Sequence, residues 1–268
     1  MVPGVAATEA LSRTLARGRV FEDSDRRCVE SDPLSLLLLL RSAGEVATNA
    51  EHPPSTLQEA LFCSTEKALL STLAAAGGLR HQSLETSAET AVSQHSVATG
   101  ICARLLATYT SDTDPEAAFA GGVALHFGRL ILSIFLPHSY AEVRATASLT
   151  DTPLNLLEHA WLGFDGSFFG EQILENFGAH PQLCLATSMQ HLEHAFNLPE
   201  TNHSLITLCQ TGSILANQIL SGEPPPRRTR GLEAKFPLLS VLGLNSKEFL
   251  KILAECRWAM FERHLIGD

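Results

Sequence analysis

The sequence predicts an all-α protein. Helix starts recur along it: Asp32-Pro33, Asp114-Pro115 and Thr152-Pro153 each set a polar residue ahead of a proline that suits the first helical turn. Apolar residues repeat at three- and four-residue spacing over most of the chain, and strand-like alternation is scarce. Aromatic residues are only 6%, most of them Phe, which disfavours a β-sandwich or a sugar-stacking surface.

Taken in order, Asp32-Pro33 opens a helix over Leu34 to Ser42, with Leu on every face, as a fully buried helix requires. Thr56 begins a second stretch carrying Leu57, Ala60, Leu61, Leu69, Leu70 and Leu73, which Gly77-Gly78 is expected to end. From Glu85 to Tyr109, a single stripe holds Ala88, Val92, His95, Thr99, Cys102 and Leu106. Asp114-Pro115 starts an apolar segment over Glu116 to Leu136, read as one central helix. Its Ala120, Gly121, Gly122 and Ala124 permit close approach of a neighbour, and Pro137 ends it. Further helices are expected from Thr152-Pro153 to Trp161, Ser167 to Phe177 with Gly178 as a left-handed cap, Pro181 to Phe196, and Ser204 to Leu220. The Gly222–Arg230 stretch, rich in Pro and Arg, is the clearest linker. Asn245, with Glu248 three residues on, forms a capping box for a last helix whose stripe is Phe249, Ile252, Leu253, Cys256 and Met260.

A chain of 268 residues is long enough for a sizeable core, and 45% apolar with 18% charged residues is the composition of a folded protein. A formal charge of −10 argues against a phosphate-facing nucleic-acid surface and against an anionic membrane surface. The Leu36–Leu40 run is too short to span a bilayer. Met1 to Arg13 has no basic stretch followed by an apolar run, so a cytoplasmic location without export is expected. The six cysteines, Cys28, Cys63, Cys102, Cys184, Cys209 and Cys256, lie more than twenty residues apart. That spacing excludes zinc-finger pairs and is compatible with free thiols in a reducing compartment.

A phosphate loop, a Gly-x-Ser-x-Gly elbow and a His-Glu-x-x-His pair are absent. Eleven histidines are the remaining chemical signal. His95 and His126 lie within apolar helices, and His191 and His194 share a helix face at three-residue spacing, suited in principle to one metal ion. A lone His in such a setting is more often a hydrogen-bonded core or surface residue than a ligand.

Residues 91–136, from Ala-Val-Ser-Gln-His-Ser-Val-Ala-Thr-Gly to Ala-Gly-Gly-Val-Ala-Leu-His-Phe-Gly-Arg-Leu-Ile-Leu, resemble the core of the HDOD family, bacterial signalling domains related to the HD-type metal phosphohydrolases. The early stretch Glu30–Ser42, the later Glu158–Gly178 and the short Leu242–Leu250 segment resemble the corresponding parts of that family, in the same order. The resemblance implies an HDOD-like domain over 8–220, with an N-terminal helical lobe over 8–80 packed on an HD-like lobe over 81–220. A linker over 221–231 and a C-terminal helical extension over 232–268 would follow.

An active HD phosphohydrolase holds a divalent ion with a His, a His-Asp pair and further His or Asp residues, and the ion activates a water. By the resemblance, the first His survives as His95. The His-Asp pair is replaced by Leu125 and His126, the later Gly-x-Asp-His element reads Gly163-Phe-Asp165-Gly166, and the terminal His-His element has become Gln190-His191. The expectation is a non-catalytic signalling module that acts through contacts with other signalling proteins. It would have no cofactor and only vestigial HD-type positions at His95, Leu125, His126, Asp165, Gly166 and His191. Two alternatives stand beside it: a divergent metal-dependent phosphohydrolase, with His95, His126 and His191 (and Asp165) as a residual metal set, or a nucleotide-sensing domain using the same cavity.

Overall fold

Side-chain caps fix many of the helix starts, as the sequence pattern requires. The Asp32 carboxylate accepts from the backbone N–H and the hydroxyl of Ser35, Asp114 accepts from the Glu116 N–H, and Thr56–Glu59 and Asn245–Glu248 close complete capping boxes. The computed structural model describes residues 3–46, 53–82, 87–110, 113–191, 200–222 and 241–267. Among these the chain is helical, with no strand. The helices are α1 (Pro3–Ala16), α2 (Asp23–Glu30), α3 (Pro33–Val46), α4 (Leu57–Cys63), α5 (Glu66–Gln82), α6 (Ser87–Ala107), α7 (Pro115–Ala124), α8 (Phe127–Phe135), α9 (Pro137–Thr150), α10 (Leu154–Leu162), α11 (Gly166–Asn176), α12 (Pro181–Ser188), α13 (Glu200–Leu220) and α14 (Ser246–Glu262). One apolar cluster runs from Ala7 in α1 to Met260 in α14. It takes in the Leu run of α3 and the whole predicted stripe of α14.

Three expectations are corrected. The Gly77-Gly78 pair does not end α5, which continues to Gln82. The two glycines cost about 1 kcal/mol each in helix propensity, but burial of Leu69, Leu73 and Ala76 and packing of Leu79 on the core hold the helix through them. The central helix is two helices, because the chain turns at Leu125-His126. At that break the Ala124 carbonyl accepts the Thr187 hydroxyl of α12 at 2.9 Å. The apolar segment does end just ahead of Pro137, at Phe135, and Pro137 itself occupies the first turn of α9, where its missing N–H costs nothing. Finally, α12 stops at Ser188, well short of Phe196, since the Gln210 amide of α13 takes up the carbonyls of Met189 (2.5 Å) and His191 (3.2 Å). His191 is therefore not helical, and the proposed helical pairing with His194 fails; His194 itself and the 223–230 linker lie outside the described residues.

The α7–α8 stretch is long and apolar enough to cross a membrane, yet 83% of its most apolar window is buried inside the fold. Its apolarity serves the core. The helix α6 runs between α7 and α13, and glycines make both crossings tight. A Cβ on Gly122 would stand 2.8 Å from the Gly100 Cα, and one on Gly212 would stand 2.9 Å from the Thr99 carbonyl oxygen. This close approach draws the polar residues near His95, His126 and Ser213 into one place.

Candidate functional site: a histidine pair at a helix junction

His95 points from α6 toward the turn between α7 and α8, where it meets His126. The two ring centroids are 4.3 Å apart and the planes tilted by 34°. His126 is buried, and both of its ring nitrogens have partners. Its Nε2 lies 3.3 Å from Thr99 Oγ1 and 3.2 Å from Ser213 Oγ, and its Nδ1 lies 2.6 Å from the Gln190 amide nitrogen. The Thr99 hydroxyl donates its one proton to the His95 carbonyl at 2.8 Å, so it faces His126 as an acceptor. Hence His126 carries its proton on Nε2, and its bare Nδ1 accepts from Gln190. His95 Nε2 lies 3.4 Å from the Ser213 carbonyl, which can only accept, so His95 is also protonated there.

Burial disfavours the charged form of both rings. It pushes His95 down to about 4 and His126 well below the usual imidazole range; the Ser213 carbonyl opposes the shift at His95, and the neighbouring His95 and Arg129 add to it at His126. The pair is neutral at physiological pH. Replacing Gln190 with Leu removes the donor from Nδ1 and leaves a buried acceptor unpaired. The expected loss is about 1–2 kcal/mol of unfolding free energy by denaturant titration, with His126 still neutral by NMR at pH 6.

The remaining positions serve the packing around this pair. Leu125 is in the apolar core, 1% exposed. Asp165 caps α11, accepting from the Phe168 N–H at 2.9 Å and the Ser167 hydroxyl at 2.5 Å. Although burial alone would raise its pKa, these bonds hold it below the usual carboxylate value, and His191 adds to the effect. His191 thus lies within electrostatic reach of both Asp165 and His126. Gly166 donates its N–H to the fully buried Glu158 at 2.8 Å. A side chain at 166 would run into Arg129 Cγ, 2.7 Å from its Cβ. Among the described residues, no group of three His, Cys, Asp or Glu side chains is placed to hold a metal ion.

Sequence reasoning missed two parts of this region. In sequence Gln190 is only an altered ligand position, and nothing there marks it as the partner of His126. The other is the cluster centred on Glu158. Its carboxylate accepts from Tyr140 (2.6 Å), Arg129 (3.1 Å) and the Gly166 N–H, tying α8, α9, α10 and α11 together. In sequence, Glu158 is one acidic residue in an otherwise apolar helix, and that isolation is the available signal.

An all-helical scaffold carrying a histidine pair, one ring buried and one half-buried, at the junction of its central helices is the class these features define. The family model for the HDOD domain matches residues 27–193, more than half of the chain, and the protein belongs to the HDOD domain family. Among solved structures the chain is similar to the MmoQ response regulator of Methylococcus capsulatus (18% identity, 93% of this chain and 96% of that one, TM-score 0.69). It is also similar to a virulence factor of Campylobacter jejuni (16%, 98% and 92%, 0.64) and to an HDOD domain protein of Geobacter sulfurreducens (14%, 96% and 89%, 0.55). At these identities the likeness is one of fold. No relative was found among curated proteins.

Proposed function

We propose that this HDOD protein is a non-catalytic signal-transduction module of a bacterial cytoplasm, working through contacts with other proteins. The state of His126 carries the reading. It stands where the HD phosphohydrolases have a metal-bridging carboxylate, and its one bare nitrogen is occupied by the Gln190 amide. Leu125 offers no donor atom, Oδ1 of Asp165 is engaged in its helix cap, and Gly166 contributes only backbone. A divalent ion needs bare nitrogens and carboxylate oxygens converging on one point, and among the described residues no three His, Cys, Asp or Glu side chains converge in that way. The description of the Methylococcus relative as a response regulator supports the signalling half of the reading.

The surface supports the contact half. The only buried residue of α10 is Glu158, and that helix exposes Leu156 (58%) and Trp161 (53%), with Phe168 (55%) following at the start of α11. Apolar side chains so presented are the usual anchors of a protein interface. The test of the non-catalytic half uses untagged protein in phosphodiesterase and nucleotidase assays with Mn²⁺ and Mg²⁺. No turnover above a His95→Ala control is expected, and turnover abolished by that substitution together with stoichiometric metal would establish a phosphohydrolase instead.

A further inference from the structure

Two cavities open side by side on the N-terminal helices, and Ser71 of α5 lines both. The narrower, of about 190 Å³, lies between α3 and α5 and is lined by Leu38, Arg41, Ser42, Ser71, Thr72 and Ala75. The wider, of about 630 Å³, is an open groove along α5 past Glu66, Lys67 and Leu70. The narrow cavity is smaller than the roughly 300 Å³ at which sites for whole small molecules begin. It suits one group of a larger ligand, with the rest lying in the groove.

The polar lining suits a phosphoryl group. Arg41 is half-buried, and its guanidinium lies 4.2 Å over the ring of Phe177, at the end of α11. Stacking takes up a face of the guanidinium and leaves its N–H donors at the edge, the geometry that binds phosphate oxygens in pairs. Three hydroxyls share the cavity with it. Those of Ser71 and Thr72 both donate to the Ala68 carbonyl, at 2.9 and 2.8 Å. That oxygen also serves the Thr72 N–H within α5. Three donors on one carbonyl hold each hydroxyl weakly, so either can turn to a ligand oxygen at little cost. A carboxylate has two oxygens, which the guanidinium edge alone would satisfy. A phosphate monoester has three free oxygens, and Ser42, Ser71 and Thr72 supply the further donors. Glu66 and Lys67 offset one another in the groove, so Arg41 is the charge that an anion meets on a chain of formal charge −10.

We propose that this cavity binds the phosphorylated side chain of a partner protein, whose flanking residues lie in the groove; this deepens the contact role proposed above and rests on it. Inorganic phosphate shares the chemistry, but the groove continuing past Ser71 favours a chain segment. The test selects a phosphoserine peptide library with randomised flanks on the full chain, then titrates enriched peptides, their unmodified serine forms and inorganic phosphate by calorimetry. Enriched phosphopeptides are expected to bind at least about tenfold more tightly than their serine forms. Arg41→Met, which keeps an apolar stem on Phe177, and Ser71→Glu, which sets a like charge at an exposed helix position, are each expected to weaken binding by about tenfold or more. Both variants are checked for a wild-type melting transition. Absence of enrichment, equal binding of the serine forms, or unchanged affinity in both variants would overturn the site. Inorganic phosphate bound more tightly than every phosphopeptide would overturn the partner segment as its source. The metal and turnover assays above judge the non-catalytic reading independently, so the two readings fail separately.

Discussion

Gly128→Ala is expected to lower the stability by about 3 kcal/mol or more. At this crossing α8 and α11 touch backbone to backbone. A Cβ on Gly128 would overlap the Gly166 carbonyl oxygen and stand 2.6 Å from the Gly170 N–H nitrogen. Main chain on both sides cannot swing away as a side-chain tip can, so one of the helices must move. Moving α11 pulls the Gly166 N–H from Glu158, a buried carboxylate that also accepts from Tyr140 and Arg129. The matched control is Gly77→Ala. That glycine is interior to α5 and has nothing within 4 Å of its Cβ position. Alanine there is expected to be neutral or to stabilise by about 0.5–1 kcal/mol. Denaturant unfolding of the two variants measures the contrast, and equal stabilities would show that α8 and α11 have room to separate.

The same crossing shows what the sequence could and could not reveal. Local signals were legible: the caps at Asp32, Asp114, Thr56 and Asn245 act where the pattern put them, and Gly178 takes a left-handed conformation at φ +66°. His95 and His126 were singled out from their helices, and they do meet. Features decided by distant partners were not legible. The turn at Leu125-His126 is braced by Thr187, 63 residues away from the carbonyl it binds, and nothing between Glu116 and Leu136 signals it. The premature end of α12 likewise involves Gln210 on another helix. Gly166 looked like a lost histidine, but in three dimensions its place is filled: Arg129 and Glu158 close over it. Burial is the hidden variable in each case, because a sequence shows that Glu158 or Glu30 is acidic and not that the fold encloses it.

Glu30 provides the second large effect. Its carboxylate is 1% exposed and accepts from three arginines on separate segments: Arg26 in α2 (2.8 Å), Arg104 in α6 (2.6 Å) and Arg263 after α14 (2.9 Å). Arg26 and Arg104 also pair with Glu116. Burial on its own would raise the Glu30 pKa, but the hydrogen bonds and charge of Arg104, helped by Arg263 and Arg26, overcome it and hold the group at about 2 against an ordinary 4.5. In the Glu30→Gln variant, Arg26 and Arg104 are left to share Glu116, and Arg263 loses the carboxylate it binds. The cost of leaving such charge uncompensated is about 3–5 kcal/mol, and a melting temperature lower by about 10 °C is expected for a chain of this size. The pH dependence follows from linkage. A carboxylate with a depressed folded-state pKa contributes stability that is fully present above its unfolded value and is lost as protons bind the unfolded chain first. The Glu30 contribution, about 3 kcal/mol by that shift, is therefore complete near neutrality and falls away between pH 4.5 and about 2. The histidine pair acts in a higher window. His95 is pushed from 6.5 down to about 4 by burial, so the unfolded chain gains its proton first as pH falls below 6.5, and stability falls with it. Wild-type stability is thus expected to decline in two overlapping stages on acidification. Glu30→Gln should retain the decline that begins near pH 6.5 and lose the Glu30 share of the later one. Parallel curves for the two proteins between pH 4.5 and 2 would show that Glu30 is not held ionised by the arginines that bind it.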